Sequence, residues 1–294
     1  MASAQLRDTR RRIRSVEAIK KITRAMELIA TSRIPKAQAR VNASKPYTAK
    51  LIEVIENVGA AGAGSHRLLE QRDIKTVGLV IVSSDRGLAG SYASNVIRIT
   101  ENRIRVLDRE GKNVILYTIG KKAQAYFRYR GYRIENAYLG VTDTPGYGDA
   151  RAVANSVLTA FAVGQIDSVE VFFTRYQSAM SQVPTRLELL PITPPAKSED
   201  GQAHQVSYEF EPSPEEILNR LLPRYVEATI FNMLLEASAS EHSARRRAMK
   251  AATDNAEDLI RVLSVQANRA RQAEITTAIS EIVGGAEALA EGRR

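Results

Sequence analysis

The 294-residue chain lacks cysteine and contains only three histidines, His66, His204 and His242. Thiolate metal sites, disulfide frameworks and cysteine nucleophiles are therefore excluded, and a histidine-rich metal centre nearly so. A long apolar run is also missing, since the longest aliphatic stretch is Val77 to Val82 with Gly78 inside it. A membrane span needs about 20 apolar residues, and no apolar core follows the arginine-rich start. The sequence thus predicts a cytoplasmic chain with neither signal peptide nor transmembrane segment.

Glycine is absent from both ends of the chain, between Met1 and Val58 and between Gln202 and Val283, although there are 17 glycines in all. Because a glycine inside a helix costs roughly 0.5–1 kcal/mol relative to alanine, these stretches predict long helices over roughly 3–58 and 213–290. Ser213, Pro214 and Glu216 have the spacing of a capping box at the start of the second helix. Both helices are several times the usual length, which favours an antiparallel coiled coil between the two chain ends.

Each predicted helix has an apolar stripe. The first stripe consists of Ile13, Val16, Ile19, Ile22, Met26 and Ile29. Its consecutive three-residue steps predict a local stammer, and Pro35 and Pro46 predict bends or a fresh helix start near Pro46. The second stripe runs through Leu218, Leu222, Tyr225, Thr229, Met233, Ala237, Ala239, Ala244, Ala252, Ala256, Leu259, Leu263, Ala267 and Ala270.

Between Thr76 and Ile192, β-branched runs alternate with helical patterns. We predict strands at 76–82, 114–119, 132–139 and 168–174, and helices after residue 91 up to about 110, near 121–129 and at 149–163. This alternation predicts a Rossmann-like α/β domain with a mostly parallel sheet, so the fold class is α/β plus long helices. The expected divisions are an N-terminal coiled-coil helix at 1–60, the α/β domain at 75–195, a proline-rich connector at 196–212 and a C-terminal helix and tip at 213–290.

The net charge of +9 is concentrated at the N-terminus, where residues 1–50 hold 13 Lys/Arg against 3 Asp/Glu. Such a cluster favours a polyanion or an acidic protein groove as the partner. A leucine-zipper DNA binder fits poorly, because leucine does not recur every seven residues after the arginines. We therefore expect protein contacts and no nucleic acid.

A glycine-containing loop, Ser83-Ser-Asp-Arg-Gly-Leu-Ala-Gly-Ser91, follows the first predicted strand. It has neither Gly-Lys-Ser/Thr nor a complete GxGxxG, which favours a tight turn in which Asp85 or Ser83 caps the next helix over a phosphate cradle. Ser91 is outside a GxSxG elbow, and the histidines are expected at the surface or at caps. We predict no catalytic residue, cofactor or metal. A nucleotide-binding α/β protein with a coiled-coil oligomerisation arm and a coiled-coil scaffold stay open as alternatives.

Several motifs occur in a family-specific order. They are Arg12-Ile-Arg-Ser-Val-Glu-Ala-Ile-Lys-Lys-Ile-Thr-Arg-Ala-Met-Glu-Leu-Ile-Ala-Thr-Ser32, the loop at 83–91, Met180-Ser-Gln-Val-Pro184, Ala248-Met-Lys-Ala-Ala-Thr-Asp-Asn-Ala256, Asn268-Arg-Ala-Arg-Gln-Ala-Glu-Ile-Thr276 and Glu281-Ile-Val-Gly-Gly-Ala286. Through them the chain resembles, over nearly its full length, the gamma subunit of bacterial F-type ATP synthases.

The resemblance implies a non-catalytic rotor shaft that couples proton-driven rotation of a membrane ring to ATP synthesis or hydrolysis and regulates ATPase activity and proton flow. It implies contacts with alpha and beta subunits of a catalytic head, an epsilon subunit and the c-subunit ring. By position, Arg271 and Gln272 would contact a catalytic subunit, Met26 would lie at the rotor–stator interface, and Phe210 and Glu211 would face the ring. The implied location is peripheral, on the cytoplasmic face of the plasma membrane.

The helix lengths themselves predict a free tip. At ~1.5 Å per residue the helices span about 84 Å and 117 Å, so antiparallel pairing leaves roughly 20 residues of the second helix unpaired. That segment carries Ile275, Ile279 and Ile282 with few charges. An apolar helix of this kind needs a surrounding partner in water.

Overall fold

The computed structural model describes residues 2–60, 66–192 and 213–291. In chain order the elements are α1 (Ala2–Ala60), β1 (Thr76–Val82), α2 (Tyr92–Arg109), β2 (Asn113–Ile119), α3 (Lys121–Tyr129), β3 (Ile134–Tyr138), α4 (Tyr147–Ala162), β4 (Ser168–Tyr176), β5 (Gln182–Leu190) and α5 (Pro214–Glu291). The chain forms two compact units: a helical unit of residues 1–29 with 246–294, and a sheet unit of residues 30–245. No helix in the described part is long and apolar enough to cross a membrane.

The sheet unit is built on five strands in the order β3-β2-β1-β4-β5. β1 pairs in parallel with β2 and β4, and β2 with β3, which confirms the predicted mostly parallel sheet. From Val77 to Val82, β1 has no polar side chain and is buried, as expected for a strand covered on both faces. Leu79 and Ile81 belong to a core with α2 and α3, whereas Val80 and Val82 belong to a core with α4 and the long helices.

β5 is an antiparallel edge strand that the sequence analysis does not predict. Pro184 interrupts its pattern, and a proline in a strand pattern normally argues against a strand. Here Pro184 pairs with Thr174 on an outer strand, where a missing N–H is tolerated.

The turn from β2 into α3 depends on Gly120. Its φ is +94°, and a Cβ there would lie 2.9 Å from the backbone carbon of Ser84. The turn therefore crosses the end of β1 more closely than a side chain would allow. This close approach brings the first N–H groups of α3 onto the loop that follows β1.

The prediction of a fresh helix start near Pro46 is wrong, because α1 continues through both Pro35 and Pro46. Both prolines are exposed, and each removes the N–H donor of one carbonyl on the preceding turn of the helix. Solvent can satisfy such carbonyls, and the opposite side of the helix remains packed.

The predicted stammer is also wrong. In the helical unit the buried or half-buried positions of α1, apart from the half-buried Met26, follow an unbroken three-four alternation: Leu6, Thr9, Ile13, Val16, Lys20, Thr23 and Glu27. Ile19 and Ile22, which we assigned to this seam, are 51% and 60% exposed. The alkyl stem of Lys20 and the methyl group of Thr23 can line a seam that hydropathy alone assigns to isoleucine.

The seam of α5 in the helical unit is equally regular, with Met249, Thr253, Ala256, Ile260, Leu263, Ala267 and Ala270. Leu259, which we placed on this stripe, is 46% exposed, and Ile260 takes its position. The small residues at Ala256, Ala267 and Ala270 fit the predicted close helix pairing.

Candidate partner-contact surfaces

The two helices of the helical unit pair antiparallel. At the seam the hydroxyls of Thr23 and Thr253 are 2.8 Å apart and buried. Beside them Lys20 Nζ lies 2.7 Å from Glu257 Oε1, an exposed ion pair that contributes little to stability. Because Thr23 lies opposite Thr253, the start of α1 lies level with about position 274, and the half-buried Glu274 is the last seam position of α5.

Beyond the seam, every residue from Ile275 to Ala286 is exposed. We call residues 275–286 the tip. Ile275, Ile279 and Ile282 are 51%, 55% and 72% exposed, and their spacing of four and three places them on one helix face. The apolar tip predicted from helix lengths is therefore present. Arg271 and Gln272, also exposed, lie one turn before it.

A second exposed apolar surface follows the paired helices on one side. Its α1 members are Ile19, Ile22 and Met26, each one position before a seam residue, and Ile29, one position before the buried Ala30. Its α5 members, Ala252, Leu259 and Val262, also lie one position before a seam residue. In an antiparallel helix pair, the positions that directly precede seam residues lie on the same side of the pair in both helices. We call this side the apolar flank. The sequence analysis missed the apolar flank because it assigned the flank isoleucines to the seam.

Met26 is thus half-buried on the apolar flank, with Ile22 (60% exposed) and Ile29 (55% exposed) as its flank neighbours. An exposed apolar row of this length in a charged helix pair indicates a protein contact. The other two predicted contact residues, Phe210 and Glu211, lie outside the described residues.

The opposite side of the helix pair is mainly basic on α1, where Arg10, Arg14, Lys21 and Arg24 are exposed and Leu28 (57% exposed) is apolar. Weak binding of this chain to duplex DNA is expected in a low-salt titration followed by fluorescence anisotropy. Such binding should fade near physiological salt, because only counterion release would drive it. Tight, sequence-selective binding that persists at physiological salt would contradict the assignment of this surface to protein contacts.

In the sheet unit, the loop at 83–91 is held by protein groups. Asp85 Oδ1 accepts from the backbone N of Lys121 at 3.2 Å, and Asp85 Oδ2 accepts from the hydroxyl of Thr142 at 3.1 Å. Asp85 therefore caps α3, and our prediction that it caps the next helix is wrong. Ser83 does not cap α2 either, because the N-cap is Ser91, which makes no side-chain cap bond. α3 lies close to this loop because of the turn at Gly120. That turn belongs to another part of the chain, so the loop sequence alone could not predict the contact.

The crevice at the carboxyl ends of β1 and β4 is where open α/β sheets usually bind ligands. In this chain α5 fills it. Ser240 donates to the carbonyl of Thr174 at the end of β4 (3.1 Å), and the Tyr92 hydroxyl donates to the carbonyl of Ala237 (3.1 Å). His242, which we expected at the surface or at a cap, is only 3% exposed here.

A buried ion pair accompanies this segment of α5. Arg245 donates to Glu241 Oε1 at 2.5 Å and to the carbonyl of Gly87 at 3.4 Å. Burial raises the pKa of Glu241, and the opposing influence of Arg245 does not cancel that rise. Among the described residues, no group of three or more His, Asp or Glu could hold a metal ion.

Calorimetry of the chain with ATP and ADP is expected to give no binding heat, because α5 occupies the crevice and the Asp85 carboxylate of the loop is bound to α3 and Thr142. The structure adds one cation that the sequence analysis overlooked, since the Lys122 ammonium lies beside Gly87. A saturable micromolar signal that Lys122→Gln abolishes would therefore support nucleotide binding and contradict this prediction.

Known proteins resemble the chain over its whole length. A family model described as ATP synthase matches residues 5–289. The ATP synthase gamma chain of Frankia casuarinae is 49% identical over 296 residues, with 99% of each chain covered. That of Mycolicibacterium smegmatis is 44% identical over 303 residues, covering 98% of this chain and 99% of the relative.

Solved structures agree in fold. A chain in the Euglena gracilis mitochondrial ATP synthase (OSCP/F1/c-ring, rotational state 3) matches with a TM-score of 0.70 and 18% identity, covering 99% of this chain and 97% of the other. The identity to the bacterial gamma chains is what decides the family, and it confirms the resemblance seen in the sequence. This chain belongs to the ATP synthase gamma-chain family.

Proposed function

We propose that the chain is the non-catalytic central rotor shaft of an F-type ATP synthase. In this role it couples proton-driven rotation of a membrane ring to ATP synthesis or hydrolysis in the catalytic head, and so regulates ATPase activity and proton flow. A shaft acts by making different contacts at different angles, which select the state of each catalytic site. It needs stiffness and directional contacts rather than reactive groups.

The observation that carries this proposal is the antiparallel helix pair with the exposed tip and apolar flank. Such a pair is stiff, and its exposed isoleucines need a surrounding apolar partner. We assign that partner to the alpha and beta subunits, with Arg271 and Gln272 supplying polar contacts at the base of the tip. The nucleotide-binding alternative is not favoured, because α5 fills the crevice that it requires.

The remaining partners are assigned to the sheet unit. We propose that the epsilon subunit and the c-subunit ring bind there, with Phe210 and Glu211 facing the ring. The chain would then be peripheral, at the cytoplasmic face of the plasma membrane. The absence of a membrane-crossing helix among the described residues is compatible with this location.

The test is purification of the complex from host membranes with an antibody against the sheet unit, followed by mass spectrometry and an ATPase assay. Alpha, beta, epsilon and c subunits should co-purify with ATPase activity. Recovery of this chain without an ATPase would contradict the rotor assignment and support the scaffold alternative.

A further inference from the structure

The loop between β3 and α4, residues 139–146, contacts both long helices inside the sheet unit. From α1, Arg33 pairs with the Asp143 carboxylate, and Arg40 donates to the carbonyl of Pro145. From α5, Ser238 donates to the backbone carbonyl of Asp143 at 3.0 Å, and His242 Nε2 lies 3.3 Å from the same oxygen. One residue, Asp143, therefore meets α1 with its side chain and α5 mainly with its backbone, while its Oδ1 lies 3.8 Å from His242 Nε2.

The same loop is tied to the sheet. Thr142, next to Asp143, bonds through its hydroxyl and backbone N to Asp85, the carboxylate that also caps α3. At the other end of the loop, the Tyr147 hydroxyl donates to Glu227 of α5 at 2.7 Å, and its ring packs edge-on against Phe231 at 5.5 Å. The loop is thus bonded on one side to the ends of β1 and α3 and on the other to α1 and α5.

These contacts differ in kind from the apolar core around them. Apolar packing has little directional preference, whereas hydrogen bonds and ion pairs weaken steeply when their geometry changes. Burial acts to raise the pKa of Asp143, but the hydrogen bond and charge of Arg33, together with His242 and Arg86, more than offset it, so the pKa is lowered. The carboxylate therefore stays charged near neutral pH and keeps its pair with Arg33.

We propose that Asp143 is a positioning residue that fixes the angle of α1 and α5 against the sheet, so that torque on the sheet unit turns both helices without slip. This inference rests on the proposed rotor function and names the contact through which the rotation passes. The apolar core supplies most of the stability of the unit, and Asp143 supplies the angular restraint.

The test compares assembled complexes carrying Asp143→Asn, Arg33→Gln or the charge swap Arg33→Asp with Asp143→Arg. Arg133→Gln is the matched control, because Arg133 forms an exposed pair with Glu135 in the same unit. Hydrogen exchange of residues 31–42 and 236–244 reports the restraint. The number of protons pumped per ATP hydrolysed reports torque transfer.

Each single variant is expected to speed exchange of residues 31–42 by about 10-fold, with a smaller effect on residues 236–244, whose bonds to the Asp143 carbonyl remain, and to lower the pumping ratio at least about two-fold, with both recovered in the swap. Unchanged pumping ratios in Asp143→Asn and Arg33→Gln would overturn the proposal, as would an equal loss in Arg133→Gln. Failure of the rotor function itself has a different signature, because the unmodified chain would then be missing from any proton-pumping ATPase.

Discussion

Replacing Ile275, Ile279 and Ile282 with glutamine is expected to weaken binding of the chain to the alpha–beta head about 100-fold. Each side chain exposes 51–72% of its surface, so a surrounding partner can bury a large remaining apolar area. At about 1 kcal/mol or more for each isoleucine, the three together account for roughly 3 kcal/mol. Surface plasmon resonance with an immobilised head would measure the loss.

The matched control changes Thr277 and Ser280 to glutamine on other faces of the same helix, and should bind almost normally. Deleting everything after Ala270 also removes Arg271 and Gln272, so assembly and coupling should fall further while the sheet unit stays folded. Native affinity and full ATP synthesis in the isoleucine variant, or in the truncated chain, would show that the tip does not bind the head.

Arg245→Met is expected to destabilise the sheet unit by about 3–5 kcal/mol, because it leaves the Glu241 carboxylate buried without its cation. Glu241 is 2% exposed and Arg245 is 8% exposed, so water cannot replace the lost partner. The double variant Arg245→Met with Glu241→Leu removes both charges and should recover most of the loss. Urea unfolding followed by circular dichroism would measure it, and equal instability of the two variants would contradict this explanation.

The pH dependence gives an independent check. Because the pKa of Glu241 is raised, its contribution to stability is complete below the ordinary carboxyl pKa and is lost as the pH rises through the raised value. Without Arg245, burial acts on the carboxyl almost alone and the pKa should rise further. The destabilisation by Arg245→Met should therefore be smaller at about pH 5 than at about pH 8.

Local patterns were enough to predict most of the elements. The glycine-free ends indicated α1 and α5, and the β-branched runs indicated β1 to β4, because backbone preference and short-range periodicity carry that information. β5 was missed because its proline is tolerable only on an edge strand, and strand order is a property of the whole sheet. The capping of α3 by Asp85 was missed for the same reason, since it depends on the Gly120 turn.

Of the candidate surfaces, too, some could be predicted from local sequence patterns and others could not. The tip could be predicted from helix lengths, because unequal partners must leave an overhang. The apolar flank could not, since Ile19 and Ile22 are more hydrophobic than the Lys20 and Thr23 that occupy the seam. For the Asp143 contact, the only local signal was that Arg33 and Arg40 lie two turns apart on α1. That spacing does not predict which residue accepts their hydrogen bonds.

The buried hydroxyl pair of Thr23 and Thr253 also restricts how the two helices can slide. A shift of one heptad would place Thr23 opposite Ile260, where its hydroxyl loses the partner 2.8 Å away. Apolar seams tolerate such slippage, because one aliphatic contact replaces another, whereas a polar pair in the seam penalises every register but one. Two threonines therefore fix how far the tip extends past the start of α1. That length in turn sets how deep the tip can enter the catalytic head.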